Sequence, residues 1–482
     1  MKYKNKIAGL FIAVIFCLSF SIDYVSYKMG PNLYSIDPDN IPPDLIWGLL
    51  GEKVQRVILI TIDSCNPDYI RPDIMPHLWE FMFYTGCMFI NAETILSSDT
   101  VSGHTSMLTG AFPNTTKIFG NQYANVSLWF HPFPGFMAPH KFFDYDIRQA
   151  KTIIEAIEPD LKIGTHFISS KWLHWMLAWE SDSWVGPEYK IELSKGAPRY
   201  LPASSYSWAN PNYQSQVGNG YGEMLPMDHW TINALIESLR NEKFPQNFYF
   251  VNIGYTDEVG HVYGARNAMT DRQLREVDNL LHKLFIELIS LGKFFNTLFV
   301  ITSDHGMDTI HDEGVNLQRL LEGAGIPCYI HHEGGSAYIG LPFLGNKTKN
   351  TAGYNKTKEF TLKYLELLNS RYWLFDAIVP SENFSDYNLP TDGAAGDIFL
   401  SFRKGARIRT KTIPIHANGD HGSINEQKIV MIWMGPDIKK RGIILNEDPV
   451  SICDIVPTIG NITGWDISEC SVDGRVLEEL FT

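Results

Sequence analysis

A hydroxyl becomes a useful nucleophile at neutral pH only beside a base or a metal ion, and this chain offers one in such a setting. Ser98-Asp99-Thr100-Val101-Ser102-Gly103-His104-Thr105-Ser106-Met107-Leu108-Thr109-Gly110 reads as a short helix with Thr100 at its mouth, followed by Gly120-Asn121. Thr100 is the candidate nucleophile. Taken alone it would be a helix N-cap, and Asp99 is an equally good one. Four further segments carry residues that could activate it. Residues 56–63, Arg-Val-Ile-Leu-Ile-Thr-Ile-Asp, read as a buried strand ending in Asp63. The run from Phe248 ends in Asp257, with His261 four residues on, and the run from Thr297 ends in Asp304-His305-Gly306. Asp420-His421-Gly422 stands just before the apolar run Ile429 to Gly435.

Each fragment has a plain reading by itself. Asp-Glu-Val-Gly-His is a turn with a solvated histidine, Asp-His-Gly a strand exit, and Asn121 beside Gly120 a turn residue. Together, at the ends of successive apolar strands, they point to one pocket, because open parallel α/β sheets build sites beyond the carboxyl ends of their strands. Three carboxylates and three imidazoles form a mixed oxygen and nitrogen set that suits zinc, where calcium would call for oxygens alone. Two such ions, typically about 3.5 to 4 Å apart, activate an attacking oxygen and stabilise a leaving one. Asn121 and the backbone N–H of Val101, at a helix N-terminus, are placed to bind developing negative charge. His104 reads as a structural residue of the short helix.

These residues need a scaffold of strands and crossovers. Leu274, Val277, Leu281, Leu284 and Leu288 recur at helical spacing within 270–294, predicting the helix that a parallel crossover between the second and third ligand strands requires. Residues 165–225 shift to Trp, Tyr, Ser, Pro and Gly, which reads as a substrate-facing insertion or a plain surface excursion. Residues 345–395 read as a second irregular, glycosylated surface.

The order of segments resembles the alkaline phosphatase superfamily and, within it, the type I phosphodiesterase/nucleotide pyrophosphatase family, from about residue 55 to the C-terminus. The resemblance implies an α/β fold with a largely parallel central sheet flanked by helices and carrying a cap or insertion. It also implies a ligand set, residue by residue. Asp63, Thr100, Asp304 and His305 would hold one zinc ion, Asp257, His261 and His421 the second, and Asn121 a non-bridging phosphate oxygen. The implied activity is hydrolysis of a phosphodiester or pyrophosphate through a phosphothreonine intermediate. Nucleotide pyrophosphatases carry Thr-Phe-Pro-Asn-His around the nucleophile, and the match here, Thr100 to His104, lacks the aromatic. Ser183-Trp184-Val185-Gly186 is similar to their Phe-Trp-Pro-Gly, and Trp184, Trp175 or Trp172 could stack on a base. Related monoesterases clamp free phosphate oxygens with Lys-x-Arg; Lys171-Trp172-Leu173 keeps only the first charge, favouring a diester.

A chain of 482 residues with 44% hydrophobic and 13% aromatic content can bury a substantial core. Its net charge of −14 and lack of a basic tract argue against a nucleic-acid polymer as partner, but not against a small phosphodiester such as a nucleotide or phospholipid headgroup. Basic residues before the uncharged run Ile7 to Ile22 mark residues 1–22 as a signal peptide or signal anchor, with cleavage preferred near Ser19-Phe20-Ser21, and 23–54 as a linker. If uncleaved, that segment would be the one membrane contact. The catalytic domain, 55–480, should then face a secretory lumen or the exterior. Sequons at Asn114, Asn125, Asn346, Asn355, Asn383 and Asn461 suit that compartment. Beyond Cys17, five cysteines leave at least one unpaired, with Cys453 and Cys470 the preferred pair. Other readings are a phosphomonoesterase or phosphoethanolamine transferase of the same superfamily, and a secreted pseudoenzyme that only binds.

Overall fold

The computed structural model describes residues 53–123, 140–141, 148–157, 163–171, 173, 225–240, 247–312, 315–341, 351–408 and 418–481. The N-terminal apolar run, Trp172, Trp175, Trp184, the sequons at Asn125 and Asn346, and most of the proposed insertion lie outside these residues.

β-branched apolar runs become strands because their stiff side chains pack well on a pleated surface. Those of the main sheet are β1 (Arg56–Ile62), β2 (Gly86–Glu93), β3 (Thr165–Ser169), β4 (Phe248–Ile253) and β5 (Thr297–Thr302). A separate antiparallel sheet holds β6 (Tyr329–Glu333), β7 (Ser336–Gly340), β8 (Phe375–Pro380) and β9 (Ile398–Phe402), in the order β8-β9-β7-β6. The main sheet is completed by β10 (Lys428–Met434), β11 (Gly442–Ile444) and β12 (Val450–Ser451), in the order β11-β2-β10-β5-β1-β4-β3, with β12 beside β2. Every pairing in it is parallel except those of β10, which runs antiparallel to both β2 and β5.

Helices cover both faces, as a largely parallel sheet requires. On β1, Val57 and Leu59 face one cluster with Val101, Met107, Val456 and Ile459, from α2 (Thr100–Thr109) and α7 (Ile455–Thr463). Ile58 and Ile60 face the opposite cluster. That cluster draws on α1 (Pro76–Thr85), α3 (Leu225–Arg240) and α5 (Ala268–Ser290). Helix α5 buries all five of the residues whose spacing predicted it, and the Asn267 side chain caps it by accepting the Met269 N–H.

Two expectations are corrected. Residues 345–395 are not an irregular surface: they include α6 (Thr351–Tyr372), a 22-residue helix, and β8. The buried stripe of α6 includes Lys358, Thr361, Leu365 and Leu368. Its helical spacing is disguised because two of those four positions are polar. Cys453 and Cys470 do not pair: both thiols are free and buried in the apolar core, where cysteine acts as a small hydrophobe. The four sequon asparagines within the described residues, Asn114, Asn355, Asn383 and Asn461, are exposed.

Candidate active site

The parallel strands bring their C-terminal ends to one edge. Ile62 pairs with Ile253 and Thr61 with Thr302, so the residues that follow, Asp63, Asp257 and Asp304, leave the sheet side by side. His421 joins them for a different reason: it precedes β10, and because β10 is reversed, the start of that strand lies at the edge where its neighbours end. Asp257 and His261 are carried by a short helix, α4 (Tyr255–Tyr263), whose N-terminus is fixed by the buried carboxylate of Asp228 on α3. Asp228 accepts the Gly254 N–H at 3.0 Å and the Tyr255 N–H at 3.3 and 3.4 Å.

Thr100 is the first residue of α2, and its Oγ1 lies 3.1 Å from His305 Nε2. That nitrogen is 3.3 Å from Asp304 Oδ2 and 3.8 Å from Asp63 Oδ1, so the four residues of the first expected set meet. The helix comes this close because residue 103 is glycine: a Cβ there would stand 2.4 Å from the Asp304 carbonyl oxygen. In the second set, Asp257 Oδ1 is 3.5 Å from His261 Nε2 and 3.7 Å from His421 Nε2. The His305 and His421 rings stack at 3.8 Å between centroids, joining the two sets in one pocket. Asp63, Asp304 and His305 are fully buried, whereas the His261 side chain is 30% exposed.

The donor set fits metal ions. Ligand atoms of Asp257, His261 and His421 all lie within 4.8 Å of one another, as do those of Asp63, Asp257 and His305. Asp304 Oδ2 is buried between two imidazoles, 3.2 Å from His104 Nδ1 and 3.3 Å from His305 Nε2. Burial, then the neighbouring Asp304, pushes the Asp63 carboxyl up to about 8, against the pull of Lys171. Burial also disfavours the charged form of Asp257, but Lys171 and the surrounding imidazoles hold it well below the usual carboxylate range. Burial takes His305 down to about 4. For His421 burial is outweighed by the Asp99 and Asp257 carboxylates, which push it up to about 10. Once Asp63 and His421 give up their protons, three buried carboxylates face one ammonium, a surplus of negative charge that a divalent cation would neutralise.

Asn121 is brought to the helix mouth, where its Oδ1 accepts the Val101 N–H at 2.9 Å. The two expected donors therefore meet each other, and the Asn121 amide N–H groups are the pair left for a phosphate oxygen. His104 is buried, with Nδ1 2.7 Å from the Thr100 carbonyl oxygen and Nε2 3.1 Å from Thr61 Oγ1. Its Nδ1 also lies 3.2 Å from Asp304 Oδ2.

Sequence reasoning missed three roles. Asp99 makes no side-chain cap; its Oδ2 accepts from Ser97 Oγ, and its Oδ1 lies 3.2 Å from His421 Nδ1. Lys171 is neither solvated nor free. Its Nζ donates to Asp63 Oδ1 at 2.9 Å and Asp257 Oδ2 at 2.7 Å, joining a carboxylate from each set. Ser64 Oγ donates to Asp257 Oδ1 at 2.6 Å. Asp99 and Ser64 each adjoin a residue singled out for chemistry, which is the signal that was available.

The family model for type I phosphodiesterase / nucleotide pyrophosphatase matches residues 57–424, a span that holds every one of these side chains. The chain belongs to that family. Its members are hydrolases of phosphoric esters that use metal ions, and the buried Asp and His groups here could hold such ions. No curated protein is matched at the sequence level. Among solved structures, an inactive variant of murine ectonucleotide pyrophosphatase / phosphodiesterase 5 in complex with AMP is similar at a TM-score of 0.62 and 16% identity. That match covers 89% of this chain and all of the murine one. Phosphonoacetate hydrolase from Sinorhizobium meliloti 1021, in complex with phosphonoformate, is similar at a TM-score of 0.60 and 19% identity, over 86% of this chain and 96% of that one. At these identities the likeness is one of fold: a mostly parallel central sheet flanked by helices.

Proposed function

We propose that the protein is a two-zinc phosphodiesterase or nucleotide pyrophosphatase that works through a phosphothreonine. The observation that carries this is the Thr100 hydroxyl at the N-terminus of α2, 3.1 Å from His305 Nε2 in a pocket where the Asp and His ligand candidates of both sets converge. Bound zinc would supply Lewis-acid charge that makes the threonine hydroxyl acidic and stabilises the leaving oxygen. Asp63, Thr100, Asp304 and His305 would hold one ion and Asp257, His261 and His421 the other. Thr100 Oγ1 attacks phosphorus in line and loses its proton to solvent, and the ester or anhydride bond opposite breaks, its oxygen leaving with the bonding electrons and taking up a proton from solvent. The Asn121 amide, at the helix N-terminus, holds a non-bridging oxygen as its charge grows. Water then attacks the phosphothreonine, restoring the hydroxyl and releasing a monoester.

Lys171 supports a diester substrate. In the related Lys-x-Arg pair two cations meet the extra oxygens of a monoester dianion; here the lysine is held by Asp63 and Asp257, and the second position is Leu173, fully buried. A nucleotide or a phospholipid headgroup fits that description, and the AMP bound by the murine relative favours the nucleotide. We also propose that residues 1–22 direct the protein to the secretory pathway. Hydrolysis of bis-p-nitrophenyl phosphate against p-nitrophenyl phosphate by the zinc-loaded chain tests the substrate class. The diester should be preferred by at least about tenfold in kcat/KM, equivalent to about 1.4 kcal/mol. Preference for the monoester would overturn the diester reading.

A further inference from the structure

Ser64 follows β1 directly and, among the described residues, is the one that touches ligand candidates from both sets through side chain and backbone together. Its Oγ donates to Asp257 Oδ1 at 2.6 Å and lies 3.2 Å from His305 Nδ1, while its N–H donates to Asp304 Oδ1 at 3.2 Å. Asp257 Oδ1 is the oxygen that faces His261 and His421. The residue is 1% exposed and its φ is 61°, in the left-handed region. A side chain there costs about 1–2 kcal/mol that glycine avoids. The backbone alone would be best served by glycine, so what serine adds is the hydroxyl.

We propose that Ser64 is a positioning residue that couples the two metal sets, holding the Asp257 carboxylate through its hydroxyl and the Asp304 carboxylate through its N–H in the orientation that lets both ions bind. The inference rests on the two-zinc reading above. Partners that orient metal ligands typically change metal affinity by about 10–100-fold when removed.

Zinc binding to the metal-stripped full chain, measured by competition with a chromophoric chelator, tests it, with thermal unfolding of the stripped protein alongside. Ser64→Gly removes the hydroxyl and relieves the backbone. It should leave the metal-free melting temperature unchanged or higher while weakening zinc binding by about tenfold or more. Ser64→Ala keeps the strained backbone and should weaken zinc binding to the same degree. Zinc affinity within twofold of wild type in the glycine variant would overturn the proposal, as would a lower metal-free melting temperature with affinity unchanged. Wild-type protein that takes up fewer than two zinc ions would overturn the two-zinc reading itself, and the Ser64 inference with it.

Discussion

Replacing Thr100 by alanine separates chemistry from folding, because the two effects differ in size. The side chain is 6% exposed, and the substitution takes away its hydrogen bond with His305 Nε2, 3.1 Å long. Helix α2 keeps the bond from the Val101 N–H to Asn121, and alanine is a better helix former than threonine. The missing methyl costs about 0.8 kcal/mol and the missing hydrogen bond about 1 kcal/mol, so the fold should be destabilised by roughly 1–2 kcal/mol and remain native. The rate should fall much further. Without the attacking oxygen only the remaining charge stabilisation and binding are left, and a decrease of at least about 10³-fold follows, which is about 4 kcal/mol of barrier.

The assay is steady-state hydrolysis of bis-p-nitrophenyl phosphate, with zinc content and melting temperature measured on the same preparation. Asp63, Asp304 and His305 remain to hold the first ion, so zinc content should stay near that of wild type. Thr100→Ser keeps the oxygen but loses the branching that fixes χ1, and should retain activity to within about tenfold. Turnover by Thr100→Ala within tenfold of wild type, at full zinc content, would refute Thr100 as nucleophile.

Two further outcomes follow from the electrostatics. Asp63, raised to about 8, and His421, raised to about 10, both hold protons at pH 7 in the metal-free chain, and both must lose them to act as ligands. Zinc loading at pH 7 should therefore release about two protons per chain, and affinity should rise as the pH climbs from 7 toward 10. Titration calorimetry in buffers of different ionisation heat reads the number, and a heat independent of buffer would sink the argument. Asp99→Asn keeps the shape beside His421 Nδ1 but removes the charge; compared above the pH at which His421 has lost its proton in both proteins, zinc affinity should drop by about 10–100-fold in chelator competition, and an unchanged affinity there would show that the carboxylate orients nothing.

The residues at strand ends were legible because burial and chemistry write opposite patterns next to each other. β1 is seven buried residues and then Asp63, and a carboxylate at the end of a fully buried strand has few structural reasons to be there. Roles that depend on a partner distant in sequence were not legible. Lys171 meets Asp63 and Asp257 across 108 and 86 residues, and nothing in its own neighbourhood marks it as buried. Asp99 looked like a cap because the position is one; its carboxylate faces His421 instead, while Asn121 takes the Val101 N–H. Helix α6 was missed because Lys358 and Thr361 occupy its buried face, with Lys358 reaching Ser381 and Glu382.

The second candidate ligand set is assembled differently from the first. Asp63, Asp304 and His305 follow within three residues of the ends of the paired strands β1 and β5, so sheet register brings their backbones together. His261 and His421 instead fix each other's segments. The Asn418 N–H donates to the His261 carbonyl at 2.7 Å, and His261 Nδ1 lies 3.1 Å from the Gly419 carbonyl oxygen. Residue 419 must be glycine for this approach, because a Cβ would stand 2.2 Å from the Gly260 carbonyl oxygen. The Nε2 of His261, which faces Asp257, is thus aimed by a bond its other nitrogen makes to the loop that delivers His421. A change in either segment disturbs both imidazoles at once. His261 is 30% exposed while Asp63, Asp304 and His305 are sealed, so of the candidate ligands the second set holds the one most open to solvent.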